Sequence, residues 1–275
     1  MILLALSLVV QTAQAAEPIS VSAFGEYGGS IIVSSMRNSF VQLSRELAIV
    51  VADPHTTTGR VLGFDQFDVN VSTSIFFPRT TPNGAEPSPW VRASASENPR
   101  TILPVTAMQV RKGLPLGVEL NGRLAGMGAG QGVVGGGMRG NLYDGSFDVS
   151  AGFHSSGFIG NNELALWTTE YSLTTSLLFG GRTANQIPTY RVSPFLGATY
   201  VRVNATPIID DTLAETLEIS AVSAGGTGTG FAEGLTAYRI SLGMELERDN
   251  FKTMAVTNWS PSNPFGFVLS VGLSL

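Results

Sequence analysis

The chain has 275 residues and a formal net charge of −5, with charged residues at 13% and hydrophobic residues at 43%. Typical soluble domains carry about 25% charged residues. The chain is therefore short of charge rather than rich in apolar residues, which favours a second apolar surface besides a core. The acidic balance argues against nucleic acid as a partner, because phosphate binding needs a basic face. No cysteine is present, which excludes disulfides and thiolate metal sites.

Residues 1–15 predict a signal peptide. An apolar run from Ile2 to Val10 precedes Ala13-Gln14-Ala15, which places small residues at the −3 and −1 positions of a cleavage site. A buried N-terminal strand or helix is the alternative interpretation. The run is too short to cross a bilayer as a helix, which needs about 20 residues.

Residues 16–65 are predicted to form an N-terminal segment with one amphipathic helix, at residues 34–51. Apolar residues recur there at spacings of four and three, which places them on one stripe. Asp53-Pro54 closes the helix. We expect this helix to plug or cap a barrel formed by residues 66–275. The stripe consists of Met36, Phe40, Leu43, Leu47 and Val50.

From residue 66 onward, apolar residues recur at every second position, which is the period of a β-strand. In residues 265–275, for example, apolar residues alternate with small or polar ones. Segments of about ten residues with one apolar face are typical of a transmembrane, antiparallel, up-and-down β-barrel. Ten strands are predicted, within a range of eight to twelve because residues 19–33 could add one or two. The strands fall near 66–77, 102–112, 115–126, 131–142, 145–155, 166–179, 188–203, 234–247, 250–259 and 265–275.

The connections alternate in length. Long segments at 78–101, 156–165 and 204–233 follow odd-numbered strands, whereas even-numbered strands mostly end in short turns such as Tyr143-Asp144. Outer-membrane barrels have short periplasmic turns and longer outer loops. The strands of a soluble β-sandwich also alternate apolar and polar residues, but their polar face points outward. Low charge, strand length and loop asymmetry favour the membrane protein.

The motifs that carry chemistry elsewhere are weak here. Gly130 to Gly135 matches GxGxxG, but it begins a strand rather than linking a strand to a helix. His55 and His154 lack the spacing of a metal site, and no grouping of Ser, His and acid is visible in the sequence. We therefore expect no metal, no cofactor and no enzymatic activity.

Hairpin geometry predicts a ladder of polar side chains on the inner face. A loop at Gly128–Gly130 places Glu119 opposite Arg139, and a loop at Gly113–Pro115 places Gln109 opposite Glu119. Cross-strand partners lie about 4.5–5.5 Å apart at Cβ, so such residues can touch.

The ladder is expected to extend in both directions. A turn at Asp144-Gly145 places Arg139 opposite Ser150, with Asp148 on the diagonal, and a turn at Arg248-Asp249 faces Glu245 with Lys252. A barrel of this size has a lumen largely filled by side chains, so we interpret the ladder as internal structure rather than a conduction path. The predicted lumen-facing residues are Gln109, Glu119, Arg123, Arg139, Asp148, His154, Glu170, Arg239, Glu245 and Lys252.

Three short segments resemble a family of Gram-negative outer-membrane β-barrel proteins. They are Arg45-Glu46-Leu47 in the helix, Gly63-Phe64-Asp65 at the start of the first strand, and Arg111 to Pro115 followed by Glu119. The resemblance covers residues 40–125 well and the rest only in general pattern. It implies an outer-membrane location and no particular activity.

Together these observations predict a barrel in the outer membrane of a Gram-negative bacterium. The leading hypothesis is a narrow pore or passive transporter for small solutes. The alternative is a structural or surface-interaction barrel that meets partners at loops 78–101 and 204–233 without transport. Outer-membrane lipid is the expected partner in both cases.

Overall fold

A computed structural model of the chain describes residues 18–25, 33–54, 57–78, 88–94, 101–180, 190–219, 222–223, 235–261 and 265–275. The predicted signal peptide and His55 lie outside these residues. Within them, no helix is both long and apolar enough to cross a membrane.

The described residues form a closed antiparallel barrel of ten long strands. Each strand pairs with its neighbours in sequence, and the ring closes where the first strand pairs with the last, with Val71 opposite Val271. The strands are β1 (Phe67–Phe77), β2 (Leu103–Leu114), β3 (Val118–Gly128), β4 (Gln131–Asp144), β5 (Phe147–Ile159), β6 (Leu164–Leu177), β7 (Arg191–Pro207), β8 (Thr236–Arg248), β9 (Phe251–Trp259) and β10 (Phe265–Ser274).

Several predicted boundaries shift in the structure. β5 continues to Ile159 and β7 to Pro207, so the two following connections are shorter than predicted. In the region proposed for extra strands, Ser22–Gly25 form a 3-10 helix instead, and 26–32 lie outside the described residues. A two-residue strand, Val222–Ser223, pairs with the end of β7 but does not enter the ring.

The orientation of the side chains decides between a membrane barrel and a soluble one. Leu120 points outward and is 44% exposed, whereas its neighbour Glu119 points inward and is 1% exposed. Large apolar side chains cover the outer surface of all ten strands. A closed barrel with an apolar outer band is the structure that satisfies every backbone group inside a bilayer. The protein is a transmembrane β-barrel of the outer membrane of a Gram-negative bacterium.

The two ends of the barrel differ. The connections after β1 and β7, residues 78–102 and 208–235, are long, and the strand ends that they join lie at one end of the barrel, called here the loop end. β2, β4 and β8 end in short turns at the opposite end, called here the turn end, where β1 begins. By the rule that outer-membrane barrels keep their long loops outside, the loop end faces the exterior and the turn end the periplasm.

One long helix, α1 (Val33–Val51), lies inside the ring. It contacts the inner faces of β5 to β8. Phe40, Leu43, Leu47 and Val50 on the predicted stripe are fully buried, and Ala48 and Ile49 off the stripe are fully buried too. Residues 47–51, at the C-terminal end of α1, are apolar on every side and all buried, so this part of the helix is enclosed by the barrel wall.

The inner wall changes character along the barrel axis. On β2 the inward residues are Leu103 and Val105 at the loop end, then Gln109 and Arg111 toward the turn end. On β7 the inward residues are Val203 and Val201 at the loop end, then Thr199, Phe195 and Ser193 toward the turn end, so polar residues appear there beside one aromatic ring. α1 therefore packs against an apolar wall at the loop end, while the turn end has the polar lining expected of a barrel interior.

Two short helices cover the loop end. α2 (Pro89–Arg92) and α3 (Asp211–Leu217) both contact α1. The Trp90 indole nitrogen donates a 2.5 Å hydrogen bond to Glu46, a buried carboxylate of α1. The described parts of the two long connections are thus folded onto the N-terminal segment.

Candidate functional site

The described parts of the N-terminal segment lie along the lumen from the loop end to the turn end. Its first described residues are held at the loop end, where the Ser20 backbone nitrogen donates to the carbonyl of Ala93. α1 occupies the loop half of the barrel, and residues 57–63 continue to the turn end. There the Gly113 backbone nitrogen donates to the carbonyl of Gln66, one residue before β1. The candidate functional site is therefore an occupied lumen.

A carboxylate fixes the segment at the loop end. Glu163, in the turn between β5 and β6, accepts a 2.8 Å hydrogen bond from the Ser22 backbone nitrogen and bonds from the Ser20 and Ser22 hydroxyls. Partial burial tends to raise the pKa of the Glu163 carboxyl, but these hydrogen bonds outweigh it and hold that pKa below its ordinary value. The charged form is the one that binds the segment.

Two buried arginines close the C-terminal end of α1. Arg123 of β3 donates to the carbonyl oxygens of Val51 at 2.9 Å and Ala52 at 3.1 Å. Arg239 of β8 donates to the carbonyl oxygen of Ile49 at 3.4 Å. The last carbonyls of a helix lack partners within the helix and carry partial negative charge, so cations there stabilise it. The barrel wall thus supplies the cap that the helix itself lacks.

Asp53, just past α1, lies at the centre of the lumen. Its backbone nitrogen donates a 2.8 Å hydrogen bond to Glu170 of β6, and its side chain accepts one of 3.3 Å from Gln109 of β2. The His154 ring nitrogen Nε2 is 4.0 Å from the Asp53 carboxylate. Arg239 also donates to the backbone carbonyl of Asp53. Four strands from different sides of the ring converge on this one residue.

Arg139 of β4 holds the next part of the segment. Its guanidinium donates to the Thr57 hydroxyl at 2.7 Å and to the carbonyl oxygens of Thr58 at 2.5 Å and Arg60 at 2.8 Å. Its other partner is the Glu119 carboxylate, at 3.0 Å. One side chain therefore links the wall, a buried acid and three residues of the segment.

A network of alternating charges fills the turn end. Glu119 lies 3.0 Å from Arg139 and 3.5 Å from Arg111, and it accepts a 2.9 Å bond from the Leu62 backbone nitrogen. Arg111 also bonds Asp68 of β1, which accepts a 2.9 Å bond from the Lys252 ammonium. Buried charges are tolerated when they are paired, and each charge of this network has an opposite charge within 3.5 Å, although Arg111 Nε, Arg139 Nε and Glu119 Oε1 make no hydrogen bond within the described residues.

One grouping in the lumen contains the residue types of a hydrolase. The Ser156 hydroxyl lies 3.3 Å from His154 Nδ1, with Asp53 on the other side of the ring. However, the Ser156 hydroxyl also donates to Glu170 at 3.2 Å. The adjoining cavity measures about 30 Å³, which holds one or two water molecules. As arranged, His154 and Glu170 face Asp53 of the N-terminal segment, and the cavity beside them has room only for water-sized molecules.

Metal chemistry has no evident site in the part of the chain that the structure describes, where no group of three potential His or carboxylate ligands converges. The mixed pairing of acids with arginines explains this, because each carboxylate in the turn-end network already faces a cation.

Nine of the ten residues predicted to line the lumen are buried, and Lys252 is half-buried. The predicted pairing of Glu119 with Arg139 is confirmed by the register of β3 and β4. Asp148 and Glu245 are buried but do not join the predicted ladder. Asp148 lies opposite Asp144, and Glu245 lies opposite Met254.

Three predicted pairings are wrong. Gln109 faces Arg123 rather than Glu119, because Pro115–Gly117 form a 3-10 turn in which Leu116 and Gly117 adopt positive φ. A turn displaced along the sequence shifts the whole register.

The other two errors also arise at turns. Arg139 faces Gly152 instead of Ser150, because the turn lies at residues 145–147, with Asp144 opposite Asp148, and the irregularity between Asn141 and Tyr143 offsets only one residue of that shift. Lys252 faces Glu247 instead of Glu245, because the turn begins at Asp249, which adopts a φ of 54°. The continuous four-strand ladder is therefore replaced by two clusters.

Sequence reasoning missed three residues that organise the site. The sequence pattern indicates Asp53 only as a helix stop, and the predicted lumen residues do not include Arg111 or Asp68. Arg111 and Asp68 do lie on the inward parity of β2 and β1, so the alternation could have found them. Nothing in the local pattern indicates that Asp53 sits between four strands.

Comparison of the sequence with known protein families and with curated proteins found no match. Solved structures similar to this chain include KdgM porin, with 7% identity, 76% of this chain and 99% of that chain covered, and a TM-score of 0.32. LpxR from Salmonella typhimurium has 8% identity, coverages of 76% and 99%, and a TM-score of 0.35. Ail, the attachment invasion locus protein of Yersinia pestis, has 11% identity, coverages of 77% and 99%, and a TM-score of 0.29. Likenesses at these values carry no information about function.

Proposed function

We propose that the protein is a plugged outer-membrane barrel that does not conduct solutes in its resting state and meets its partners at the loop end. The observation that carries this proposal is the occupied lumen, in which α1 and residues 57–63 are bonded to inward side chains of the wall. This favours the surface-interaction hypothesis over the open pore.

The free energy of plugging supports a lasting closure. Phe40, Leu43 and Leu47 of α1 are fully buried against the apolar part of the wall. Full burial of such a side chain contributes about 1.5–3 kcal/mol. Withdrawal of α1 would expose all three and leave Arg123 and Arg239 buried without the carbonyls they bind. Thermal fluctuation alone should rarely open the lumen.

The loop end is suited to recognition because its described parts are ordered by packing. α3 buries Leu217 and leaves Asp211 and Glu215 exposed. A surface that is already folded loses less conformational entropy on binding than a mobile loop does. Loops 78–101 and 204–233, which contain α2 and α3, are thus the proposed contact regions.

Conductance of the purified full chain in planar bilayers tests the proposal. We expect a flat baseline at moderate voltage. Frequent, stable channel openings in the unmodified protein would show that the plug does not close the lumen, and the proposal would then be wrong. A porin reconstituted in the same bilayers serves as the positive control.

The second candidate is a pore for small solutes that opens when the N-terminal segment moves. The polar lining and the small cavity beside Asp53 favour it. Because the chain has no cysteine, the pair Asp53→Cys and Gln109→Cys can be joined by a short bifunctional thiol crosslinker without competing thiols. The side chains of the natural residues are 3.3 Å apart at their polar atoms, so a short linker can span the two positions. Openings that occur before crosslinking and disappear after it would support the gated pore, with the uncrosslinked form as its own control.

A further inference from the structure

The outer surface of β6, β7 and β8 is built in layers. The cross-strand register places Arg202 of β7 between Thr169 of β6 and Thr236 of β8. All three positions have the outward parity of their strands, and Arg202 is exposed. One cation flanked by two threonines thus lies on the loop-end side of the apolar band.

The next layer toward the turn end is aromatic. Tyr171, Tyr200 and Tyr238 lie side by side on the three strands. The ring centres of Tyr200 and Tyr238 are 5.3 Å apart, and Phe153 of β5 extends the row to Tyr171 at 5.6 Å. Tyrosine rings concentrate where hydrocarbon meets headgroups, so this row marks the outer interface.

The third layer is a groove. Ala198 of β7 faces Leu173 of β6 and Ile240 of β8, and Ala151 of β5 continues the small surface. The short alanine side chains leave a depression of about 480 Å³ below the tyrosines. That volume lies within the range of about 300–1,000 Å³ typical of ligand pockets, and the groove is lined mainly by apolar side chains.

Charge complementarity identifies the occupant. In the part of the chain that the structure describes, no carboxylate lies within ion-pair distance of Arg202. Below it on β7, the outward residues are Tyr200, Ala198 and Leu196, which are apolar or interfacial. A molecule that fits must therefore be anionic at the headgroup level and apolar beneath it.

We propose that β6, β7 and β8 carry a binding site for the phosphate-bearing glycolipid of the outer leaflet, lipid A. Its phosphate would contact Arg202, its sugar would lie against the tyrosine row, and one acyl chain would fill the groove at Ala198. Arginine binds phosphate through charge-assisted hydrogen bonds, and flanking hydroxyls can add donors. The site lies outside the barrel and is independent of whether the lumen conducts.

Native mass spectrometry of the purified full chain tests the site. The protein is mixed with bis-phosphorylated lipid A, with lipid A of the same acylation lacking phosphate, or with phosphatidylglycerol, and the lipid-bound fraction is measured. Two variants probe the site: Arg202→Gln removes the cation, and Ala198→Leu fills the groove. Two controls make the same changes elsewhere: Arg248→Gln beside a tyrosine at the turn end, and Ala255→Leu at an outward position of β9.

We expect the phosphorylated lipid to be retained about tenfold better than the form without phosphate, the effect of one charge-assisted hydrogen bond. Arg202→Gln should abolish that difference, and Ala198→Leu should reduce retention of both forms, while both controls behave as the unmodified protein. Undiminished phosphate preference in Arg202→Gln, or unchanged retention in Ala198→Leu, would overturn the site. Equal retention of phosphatidylglycerol would overturn the choice of lipid A.

Discussion

The Glu119 carboxylate is the residue whose removal should disturb the turn end most. It is 1% exposed, and it faces Arg139, Arg111 and the Leu62 backbone nitrogen at once. In Glu119→Ala, two buried arginines lose an anionic partner and a segment amide loses its acceptor. Breaking a buried ion pair by removing one partner costs about 3–5 kcal/mol, and we expect a loss of unfolding free energy in that range.

The conservative variant separates charge from hydrogen bonding. Glu119→Gln keeps an oxygen for the Leu62 nitrogen but removes the negative charge between the arginines. We expect it to cost about 1.5–3 kcal/mol, the contribution of a hydrogen bond to a charged group. Combining Glu119→Ala with Arg139→Met should cost less than the sum of the single changes, because the uncompensated cation is removed.

Urea unfolding of the reconstituted barrel measures these differences, and hydrogen exchange at the Leu62 amide reports on the segment itself. Glu247→Ala is the matched control, because Glu247 is a partly exposed acid of β8 that pairs with Arg191 at 3.3 Å. Such pairs contribute about 0–1 kcal/mol. If Glu119→Ala is no more destabilising than Glu247→Ala, the turn-end network does not hold the segment and the reasoning fails.

Three further changes test other parts of the structure. Gly113→Ala should destabilise the barrel strongly, because a Cβ there would lie 2.0 Å from a backbone oxygen of the N-terminal segment. Gly122→Ala, on the next strand, places its Cβ in open space and should change thermal stability little. Arg239→Met should cost about 1–2 kcal/mol in unfolding free energy by uncapping α1, and equal stability would contradict the capping role. A carboxyl with a lowered pKa stabilises the fold above its unfolded pKa and loses that contribution as it protonates. Lowering the pH through the depressed pKa of Glu163 should therefore release residues 20–22, so that protease cleavage of the protein at the loop end increases on acidification. The Glu163→Gln variant should be cleaved readily there at every pH.

The barrel could be predicted from the sequence because two different environments act on alternate residues. Lipid requires Leu120 to be apolar and the lumen tolerates Glu119, so the alternation records both environments. The pairing of Glu119 with Arg139 followed from a short hairpin. Pairings across the neighbouring turns did not, because positive φ at Leu116 and Asp249 moved those turns. Turn geometry of this kind depends on one or two residues, and the strand pattern does not encode it.

The contents of the lumen were harder to predict. An amphipathic stripe on residues 34–51 indicates that one face is buried, yet Ala48 and Ile49 off that stripe are buried as well. The sequence pattern of a helix cannot state what surrounds it. The apolar inner wall at Leu103 and Val105 was likewise unexpected, because it is needed only when a helix occupies that half of the barrel.

The seam between β1 and β10 has a consequence for how the molecule is made. The lumen segment joins directly to β1, and β1 is also the strand whose pairing with β10 seals the ring. Chains rarely pass a free end through a finished loop. The N-terminal segment should thus be in place before the last hydrogen bonds between β1 and β10 form. The strands then close around the segment, and the segment does not enter a barrel that is already closed. A protein assembled in that order has no empty precursor, and its wall and its contents fold as one unit.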